Sequence, residues 1–334
     1  MASIWITVLL LAGCSTAGPA GAPAAGAGAA PPAGHVPIGA VTIADGMGSE
    51  QADGVFPRTV RHYTGTTTIA RKPQRVAIVS GGQLDAVLSL GVVPVGATNG
   101  DGASLVPGYL TDAFPQFAAE LKKMASFGLR NEPDVESIAA ARPDLIIANQ
   151  TGVGKLHPQL SKIAPTIMTA GNPDKWRPDF MLIGDALGLK SRAQSVMADI
   201  QKSEDQLKRK VPPSGLLVSL VRFGPSKARA MGARSTAGMV LADLGIHRPN
   251  VAPADDISAD VSNEELAEVD GQWIFFASQA GNQSNLSKWT NAALWSSLSA
   301  VQAKKAIAVS DEVWFQNAAP AATARIVADL SAHL

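Results

Sequence analysis

A predicted long amphipathic helix at residues 191–210, with the sequence SRAQSVMADIQKSEDQLKRK, is the feature that most constrains this chain. Its apolar residues recur at the spacing of one helical face, and they are Ala193, Val196, Met197, Ile200 and Leu207. Ser191 and Gln194 have the spacing of a capping box, which predicts that the helix begins there. Pro212 and Pro213 forbid its continuation beyond a basic end.

The polar side of this helix predicts exposure to solvent. Glu204 with Lys208 and Asp205 with Arg209 have the i,i+4 spacing of favourable surface ion pairs. At about 1.5 Å per residue the helix is roughly 30 Å long, which is the width of a small domain. It is long enough to join two halves of the chain as a strut, although the pattern alone also fits an ordinary surface helix.

The chain has 334 residues and balances 28 Lys and Arg against 28 Asp and Glu. This length predicts one to three domains and allows a sizeable core. Because the net charge is zero, the chain has no overall basic excess with which to hold a polyanion. We therefore do not expect nucleic acid as a partner.

The amino terminus predicts a lipid anchor. An apolar run at residues 4–11 leads into Leu11-Ala12-Gly13-Cys14, which matches the bacterial lipobox. Residues 1–14 are thus expected to be a lipoprotein signal, with acylation of Cys14 holding the protein at the outer face of the cytoplasmic membrane. Residues 1–6 contain no Lys or Arg, so the true start is expected further upstream.

Residues 15–40 are almost entirely Ala, Gly and Pro and are predicted to be a flexible tether. Cys14 is the only cysteine. The domain beyond the tether is therefore expected to contain no disulfide and no thiolate metal site.

Short apolar strands alternate with helices on both sides of the long helix. After a hairpin at residues 55–69, strands are predicted at 75–79, 92–96, 144–148 and 166–169, with helices at 84–90 and 135–141. The later half has predicted strands at 216–221, 273–277 and 306–309 and a helix at 238–244. This alternation predicts an α/β fold with mostly parallel sheets. We divide the chain into an N-terminal lobe at 41–172, linking helices at 173–211 and a C-terminal lobe at 212–334.

The two halves also resemble each other in sequence. Glu136, Ile138 and Leu145 align without a gap with Glu264, Leu266 and Trp273, at a constant offset of 128 positions (264 less 136). The matched pieces occur in the same order in both halves, which favours two related lobes. The loops at the carboxyl ends of their parallel strands would then face a common cleft.

Several segments resemble the substrate-binding lipoproteins of bacterial ABC importers for ferric siderophores, ferric citrate, haem and vitamin B12. The segments are FPRTV at 56–60, PQRV at 73–76, LGVVPVG at 90–96, ARPDLII at 141–147, IAPT at 163–166, LG at 244–245, VSNE at 261–264 and the late Trp314. The resemblance implies two α/β lobes joined by a single long helix, as in class III periplasmic binding proteins. It also implies a monomer that delivers a ferric chelate to an ABC permease, with Glu136 and Glu264 docking into arginine pockets of that permease.

A ferric chelate carries oxygen-rich surfaces around iron that is already fully coordinated. Binding one calls for arginine side chains, aromatic walls and polar loops rather than metal ligands. Our candidate ligand-binding residues lie in or beside predicted loops after strands, and they are Ser80, Gly81, Arg130, Gln150, Trp176, Arg222, Phe223, Arg234, Gln279 and Trp314. For each arginine, a solvated surface position is the alternative.

The sequence is also compatible with other functions. Haem would need an axial ligand such as Tyr109, His62 or His157, although core or surface positions are favoured for these residues. The histidines form no cluster suited to bare zinc or manganese, and we expect no permanently bound cofactor. The motifs GxxxxGK, HExxH and GxSxG are absent, so nothing indicates an enzyme. A cell-envelope scaffold that has kept the fold without transport is the remaining alternative.

Overall fold

The structure is a computed structural model that describes residues 41–80, 82–100, 104–212 and 215–334. Its strands are β1 (Arg58–His62), β2 (Gly65–Ile69), β3 (Val76–Val79), β4 (Gly96–Asn99), β5 (Ala125–Leu129), β6 (Glu132–Pro133), β7 (Leu145–Asn149), β8 (Thr166–Thr169), β9 (Val218–Phe223), β10 (Ala228–Met231), β11 (Ser258–Val261), β12 (Trp273–Ser278) and β13 (Ala306–Ala308). Its α-helices are α1 (Gln83–Ser89), α2 (Gly108–Ala113), α3 (Ala118–Leu121), α4 (Val135–Ala140), α5 (Gln150–Val153), α6 (His157–Ile163), α7 (Trp176–Ala186), α8 (Lys190–Lys208), α9 (Thr236–Asp243), α10 (Gln283–Thr290), α11 (Ala293–Ser297), α12 (Ser299–Gln302) and α13 (Pro320–His333).

The first large sheet has the strand order β6-β5-β4-β3-β7-β8 within the described residues, and its only antiparallel pair there is β5 with β6. All four residues of β3 are buried, which explains why this strand reads as the continuous apolar run VAIV. Before it, the chain forms the predicted hairpin from β1 and β2, which pair antiparallel. The alternating strands and helices of the first half are thus confirmed.

One predicted strand of this sheet is displaced. Residues 92–96 were expected to form it, but β4 begins only at Gly96. Gly91 has φ +81° and the amide of Val92 donates to the carbonyl of Val87, so the residues after α1 serve to end that helix. Gly96 itself is required because a Cβ there would meet the Phe127 ring and lie 2.6 Å from the Ala125 carbonyl oxygen.

The second large sheet has the order β11-β10-β9-β12-β13 in the part of the chain that the structure describes. Strands β9, β12 and β13 run parallel, as predicted, whereas β10 pairs antiparallel with both β9 and β11. Strands β10 and β11 were not predicted. Each is four residues long and contains an exposed residue, so each gives a weaker apolar signal than the buried central strands.

The predicted long helix is α8, which spans 19 residues and matches the expected bounds to within two residues. The predicted capping box at its start is wrong. The helix begins at Lys190, and the carboxylate of Asp53 accepts hydrogen bonds of 2.8 Å from the amides of Lys190 and of Ser191. A carboxylate that approaches from elsewhere in the chain therefore replaces the Ser191 side chain as the cap.

The predicted solvent-facing pair of Glu204 and Lys208 is also wrong. Glu204 is 1% exposed, because α8 packs against both α7 and α13 and so buries more than one stripe. Its near neighbours are Arg177 and Asp243, which form a buried ion pair with each other. Lys208 instead donates to the backbone carbonyl of Asp243 at 2.9 Å.

One face of each sheet contributes to a shared hydrophobic cluster, and each sheet also has a separate cluster of its own. A single cluster of buried residues contains side chains from the first sheet, α7, α8, the second sheet and α13, among them Ile78, Phe180, Met197, Leu220 and Ile326. The linking helix is therefore packed along its length rather than being an isolated rod. The fold is nevertheless the expected one, with two α/β lobes connected through α7 and α8.

Asp85 of α1 ties the end of the chain to the N-terminal lobe. Its buried carboxylate accepts hydrogen bonds of 2.9 and 3.0 Å from the amides of Ala321 and Ala322, in the first turn of α13. It also accepts from the hydroxyls of Tyr109 and Ser89. A carboxylate at a helix N-terminus complements the helix dipole, so this contact helps to hold the two lobes together.

Candidate ligand-binding cleft

A cleft lies at the carboxyl ends of the parallel strands of the first sheet. Ser80 follows β3, Asn149 ends β7, Thr169 ends β8 and Arg130 follows β5, and all four residues line it. The chain leaves β3 toward β4 on one side and returns to β7 on the other, so β3 is a topological switch point, where ligands bind in open α/β sheets. The cavity has a volume of about 400 Å³, within the range of small-molecule sites.

The C-terminal lobe closes the opposite side of the cleft with the segment that follows β13. Gln316, Ala318, Ala319 and Pro320 from this segment line the cavity. Pro320 is also the first residue of α13, the helix that Asp85 holds. The cleft therefore lies between elements of both lobes.

The floor of the cleft is held by a short polar network. Asn149 donates a 2.5 Å hydrogen bond from Nδ2 to the Ser80 hydroxyl, and its Oδ1 accepts from the amide of Gly152. Gly171, with φ +84°, passes so close that a Cβ would lie 2.5 Å from the Cβ of Asn149. The absence of a side chain at residue 171 therefore keeps Asn149 in place.

Gln83 contributes a buried amide to the cleft lining. It is 7% exposed, and its Nε2 donates to the Ala148 carbonyl at 2.9 Å and to the Thr169 hydroxyl at 2.7 Å. These two acceptors fix the orientation of the amide. Its Oε1 is buried and has no hydrogen-bond partner among the described residues.

Asp179 of α7 is the acidic residue of the lining. Burial raises its pKa to about 6, although hydrogen bonds from the amides of Gly171 and Ala170 act in the opposite direction. The nearby Asp174 carboxylate adds to the rise of the pKa. The inner wall of the cleft thus combines a carboxylate with amide and hydroxyl groups, and Trp176 and Phe180 supply apolar surface.

Three of the predicted ligand-binding residues line the cleft together, namely Ser80, Arg130 and Trp176. Gly81 lies outside the described residues. Gln150 and Gln279 are exposed at the start of α5 and just after β12, but neither is among the lining residues of the cavity. Their role in binding stays a prediction.

Arg222 does not line the cavity. Its guanidinium donates to both carboxylate oxygens of Asp311, at 2.6 and 2.9 Å, and is largely buried by that pair. The same carboxylate accepts from Nε2 of Gln316 and from the amide of Ala280. Arg222 is therefore linked to the cleft-lining Gln316 through Asp311 and is itself outside the lining, so the expectation that it lines the ligand site is corrected.

Phe223 and Trp314 are core residues, so the prediction that they form aromatic walls of the cleft is corrected. Both side chains are 0% exposed. Phe223 stacks on Trp289 with ring centroids 5.4 Å apart, and Trp314 stacks on Phe275 at 4.8 Å. Sequence position alone suggested them, because both follow a strand or a loop and nothing local shows which way they turn.

Arg234 is already paired. Its Nη2 donates to Asp174 Oδ2 at 2.9 Å, and its Nη1 donates to the Asp255 carbonyl at 2.9 Å. Asp174 belongs to the linking segment that enters α7, whereas Arg234 precedes α9 of the C-terminal lobe. Arg234 thus joins the C-terminal lobe to the linking segment, and the cavity lining does not include it.

A family model described as "Periplasmic binding protein" matches residues 76–313. The chain belongs to this family. The match covers both sheets and the connecting helices, in agreement with the resemblance that the sequence motifs carry.

Three relatives illustrate where the chain stands in the periplasmic binding protein family. It is 29% identical to a probable siderophore-binding lipoprotein of Bacillus subtilis, covering 83% of this chain and 87% of the relative. It is 27% identical to the Fe(3+) dicitrate-binding periplasmic protein of Escherichia coli, covering 82% and 89%. The crystal structure of Staphylococcus aureus SirA complexed with staphyloferrin B superposes with a TM-score of 0.70 at 26% identity, covering 82% of this chain and 97% of SirA.

Members of this family bind substrates rather than transform them. Within the described residues there is no group of three or more His, Cys, Asp and Glu side chains suited to holding a metal ion. Of the three residues considered for haem, Tyr109 and His62 are buried, and none of the three is among the lining residues of the cleft. Tyr109 donates to Asp85, and His62 bonds to the Thr67 hydroxyl.

Glu136 and Glu264 are both exposed, one on each lobe. Glu136 lies in the first turn of α4, where Asp134 is the cap. Glu264 lies in a turn where Ser262 and Glu265 cap each other, leaving Glu264 outside that pair. Neither forms an ion pair with any part of the chain that the structure describes.

Cys14 and the tether at 15–40 lie outside the described residues. Among the residues that are described, none of the helices is both long enough and apolar enough to span a bilayer.

Four lining residues of the cleft were not predicted, and they are Gln83, Asn131, Asp179 and Gln316. Thr151 also lines the cleft, and it belongs to the loop at 150–152 that follows a predicted strand and was expected to offer backbone and amide donors. Asp179 and Gln83 are inside helices, and only the packing of those helices on the sheet turns them toward the cleft.

Proposed function

We propose that this protein captures a ferric chelate, a siderophore or ferric citrate complex, in the cleft and delivers it to an ABC permease. The observation that carries the proposal is the cleft itself. It opens at the switch point of a parallel sheet, has walls from both lobes, and belongs to a chain similar over most of its length to siderophore-binding and ferric-citrate-binding proteins.

The chemistry of the lining supports a preassembled chelate as ligand. Asn131, Thr151, Gln316 and Arg130 present neutral or positive polar groups, while Trp176 offers an aromatic wall. Such groups recognise the outer surface of a complex and leave its iron coordination intact. A bare metal ion would instead require several carboxylate, imidazole or thiolate ligands in one place.

A titration of the full-length protein with ferric chelates tests this proposal. Trp176 lines the cleft, so we expect one equivalent of a bound chelate to quench its fluorescence. The chelate should be recovered chemically unchanged after the protein is denatured. An envelope scaffold without a transport role would show no saturable quenching with any chelate, and an enzyme would return an altered ligand.

We further propose that Glu136 and Glu264 dock the protein onto the permease. Both are exposed, and the alignment of the two halves of the sequence pairs them with each other. The variant Glu136→Arg/Glu264→Arg is expected to bind the chelate as the wild type does but to lose uptake in cells. Glu120→Arg/Glu268→Arg, which reverses two other exposed carboxylates, is the matched control. Normal uptake by the first variant would refute the docking role.

We also propose that lipidation of Cys14 holds the protein outside the cytoplasmic membrane. Acyl chains supply the membrane affinity, and the tether at 15–40 lets the folded part reach the permease. Cys14→Ala is expected to move the protein from the membrane fraction to the soluble extracytoplasmic fraction. Retention of that variant in the membrane would contradict the proposal.

A further inference from the structure

The charged side chains that line the cleft balance each other. Among the described lining residues, Arg130 is the cation and Asp179 is the anion. The undescribed positions of the chain contain neither Lys nor Arg, so no cation from those positions can add to this balance. Lys175 precedes Trp176 but is exposed, so water and salt screen its charge.

The arginines on the other side of the cleft are already neutralised. Arg222 is paired with Asp311, and Arg234 is paired with Asp174. An anionic ligand could recruit either arginine only by competing with a carboxylate at 2.6 to 2.9 Å. The net charge of the side chains that surround a ligand in the cleft is therefore close to zero.

The inner wall is rich in hydrogen-bond acceptors. Oε1 of Gln83 is buried without a partner among the described residues, although the other end of this amide is fixed by Ala148 and Thr169. The Asp179 carboxylate is a second acceptor of the lining, and it already accepts one hydrogen bond on each oxygen, from the amides of Ala170 and Gly171. Buried acceptors are satisfied by donors, so a ligand that fits this wall brings N–H or O–H groups to it.

We infer that, within the proposed function, the cleft selects ferric chelates of zero or positive net charge whose inner end carries N–H or O–H donors. Ferric trihydroxamates with amide or ammonium groups have these properties. Tris-catecholate and citrate chelates are polyanions, and they would lose hydration in the cleft while meeting a single lining cation and the Asp179 carboxylate. The inference therefore depends on the proposed function and narrows its ligand class.

Three ferric chelates test this selectivity with the full-length protein. Ferrioxamine B is cationic, ferrichrome is neutral and ferric enterobactin is trianionic. We expect the first two to bind more tightly than the third by about tenfold or more in the same low-salt buffer, as measured by calorimetric titration. Preference for ferric enterobactin would overturn the inference while leaving the proposed function intact. Failure of all three to bind would overturn the inference, and failure of ferric citrate to bind as well would overturn the proposed function.

A variant that adds a positive charge to the cleft tests whether the balance of charge causes this selectivity among chelates. Asn131 is exposed and lines the cleft. Asn131→Arg is expected to raise the affinity for ferric enterobactin by about fivefold and to leave that for ferrichrome nearly unchanged. Gln206→Arg, on the exposed face of α8, adds the same charge outside the cleft lining and should change neither affinity. Equal effects of the two variants would refute a local role for cleft charge.

Discussion

Replacing Glu204 by Gln should remove a pH dependence of stability that the wild type shows near neutrality. Burial raises the pKa of Glu204 to about 8 from 4.5, and the Asp243 carboxylate contributes to the rise while Arg177 opposes it. Because the pKa is higher in the folded state, folding takes up a proton at pH values between 4.5 and about 8. The stability that this proton provides is complete below about pH 4.5 and is lost as the pH rises toward 8.

The magnitude follows from the two pKa values. Each pH unit in this window changes the free energy of unfolding by about 1.4 kcal/mol, because one proton is bound in the folded state only. From pH 5 to pH 8 the wild type should therefore lose about 3.5 kcal/mol relative to Glu204→Gln, which is less than three times that slope because the slope falls off near each pKa. The Gln side chain is neutral throughout and close to the same size, so the variant should be the more stable protein at pH 8.

Urea denaturation at four values between pH 5 and pH 8 measures this difference. Glu120→Gln is the matched control, because Glu120 is exposed and its replacement should leave the slope unchanged. Parallel curves of stability against pH for the wild type and Glu204→Gln, with a slope difference below about 0.3 kcal/mol per pH unit, would refute the reasoning.

The remaining predictions concern other buried groups. Asp85→Ala should lower the free energy of unfolding by about 2–4 kcal/mol in urea titrations, because it leaves the first amides of α13 without their acceptor. An unchanged midpoint of urea denaturation would contradict a stabilising role for these hydrogen bonds. Burial, with the nearby His157, lowers the pKa of His62 to about 4 from 6.5, so acidification across this window should cost the wild type up to about 3 kcal/mol, whereas His62→Gln should lack that loss. Gly96→Ala should lower the free energy of unfolding by about 2 kcal/mol or more, because the added methyl group meets the Phe127 ring. Gly245→Ala adds a methyl group where no atom lies within 4 Å, so it measures the cost of the positive φ alone.

The sequence predicted the elements whose patterns are local. The long helix, the central strands β3, β7, β9 and β12 and the hairpin follow from apolar periodicity and glycine turns, and the structure places them close to the expected bounds. The internal sequence repeat favoured the two-lobe arrangement, which periodicity alone left open, and the resemblance to a family implied it as well.

The errors arise where distant parts of the chain meet. The cap of α8 comes from Asp53, 137 residues before the helix start, and no spacing within the helix indicates it. Glu204 is buried because the helices α7 and α13 cover its face of α8. The same holds for the site. Arg222 was expected just after a strand but lies within β9, and its pairing with Asp311, 89 residues away, could not be read from the sequence.

Blocking the cleft tests the central claim most directly. Ala318 lines the cavity from the C-terminal lobe, and Ala318→Trp would fill part of it with an indole ring. Ala303→Trp places the same ring at an exposed site outside the lining. Calorimetric titration with whichever ferric chelate binds the wild type most tightly should show one site per chain in the wild type and in Ala303→Trp. Affinity should fall by at least about thirtyfold in Ala318→Trp with an unchanged melting temperature. Undiminished binding by a folded Ala318→Trp would contradict the cleft as the ligand site.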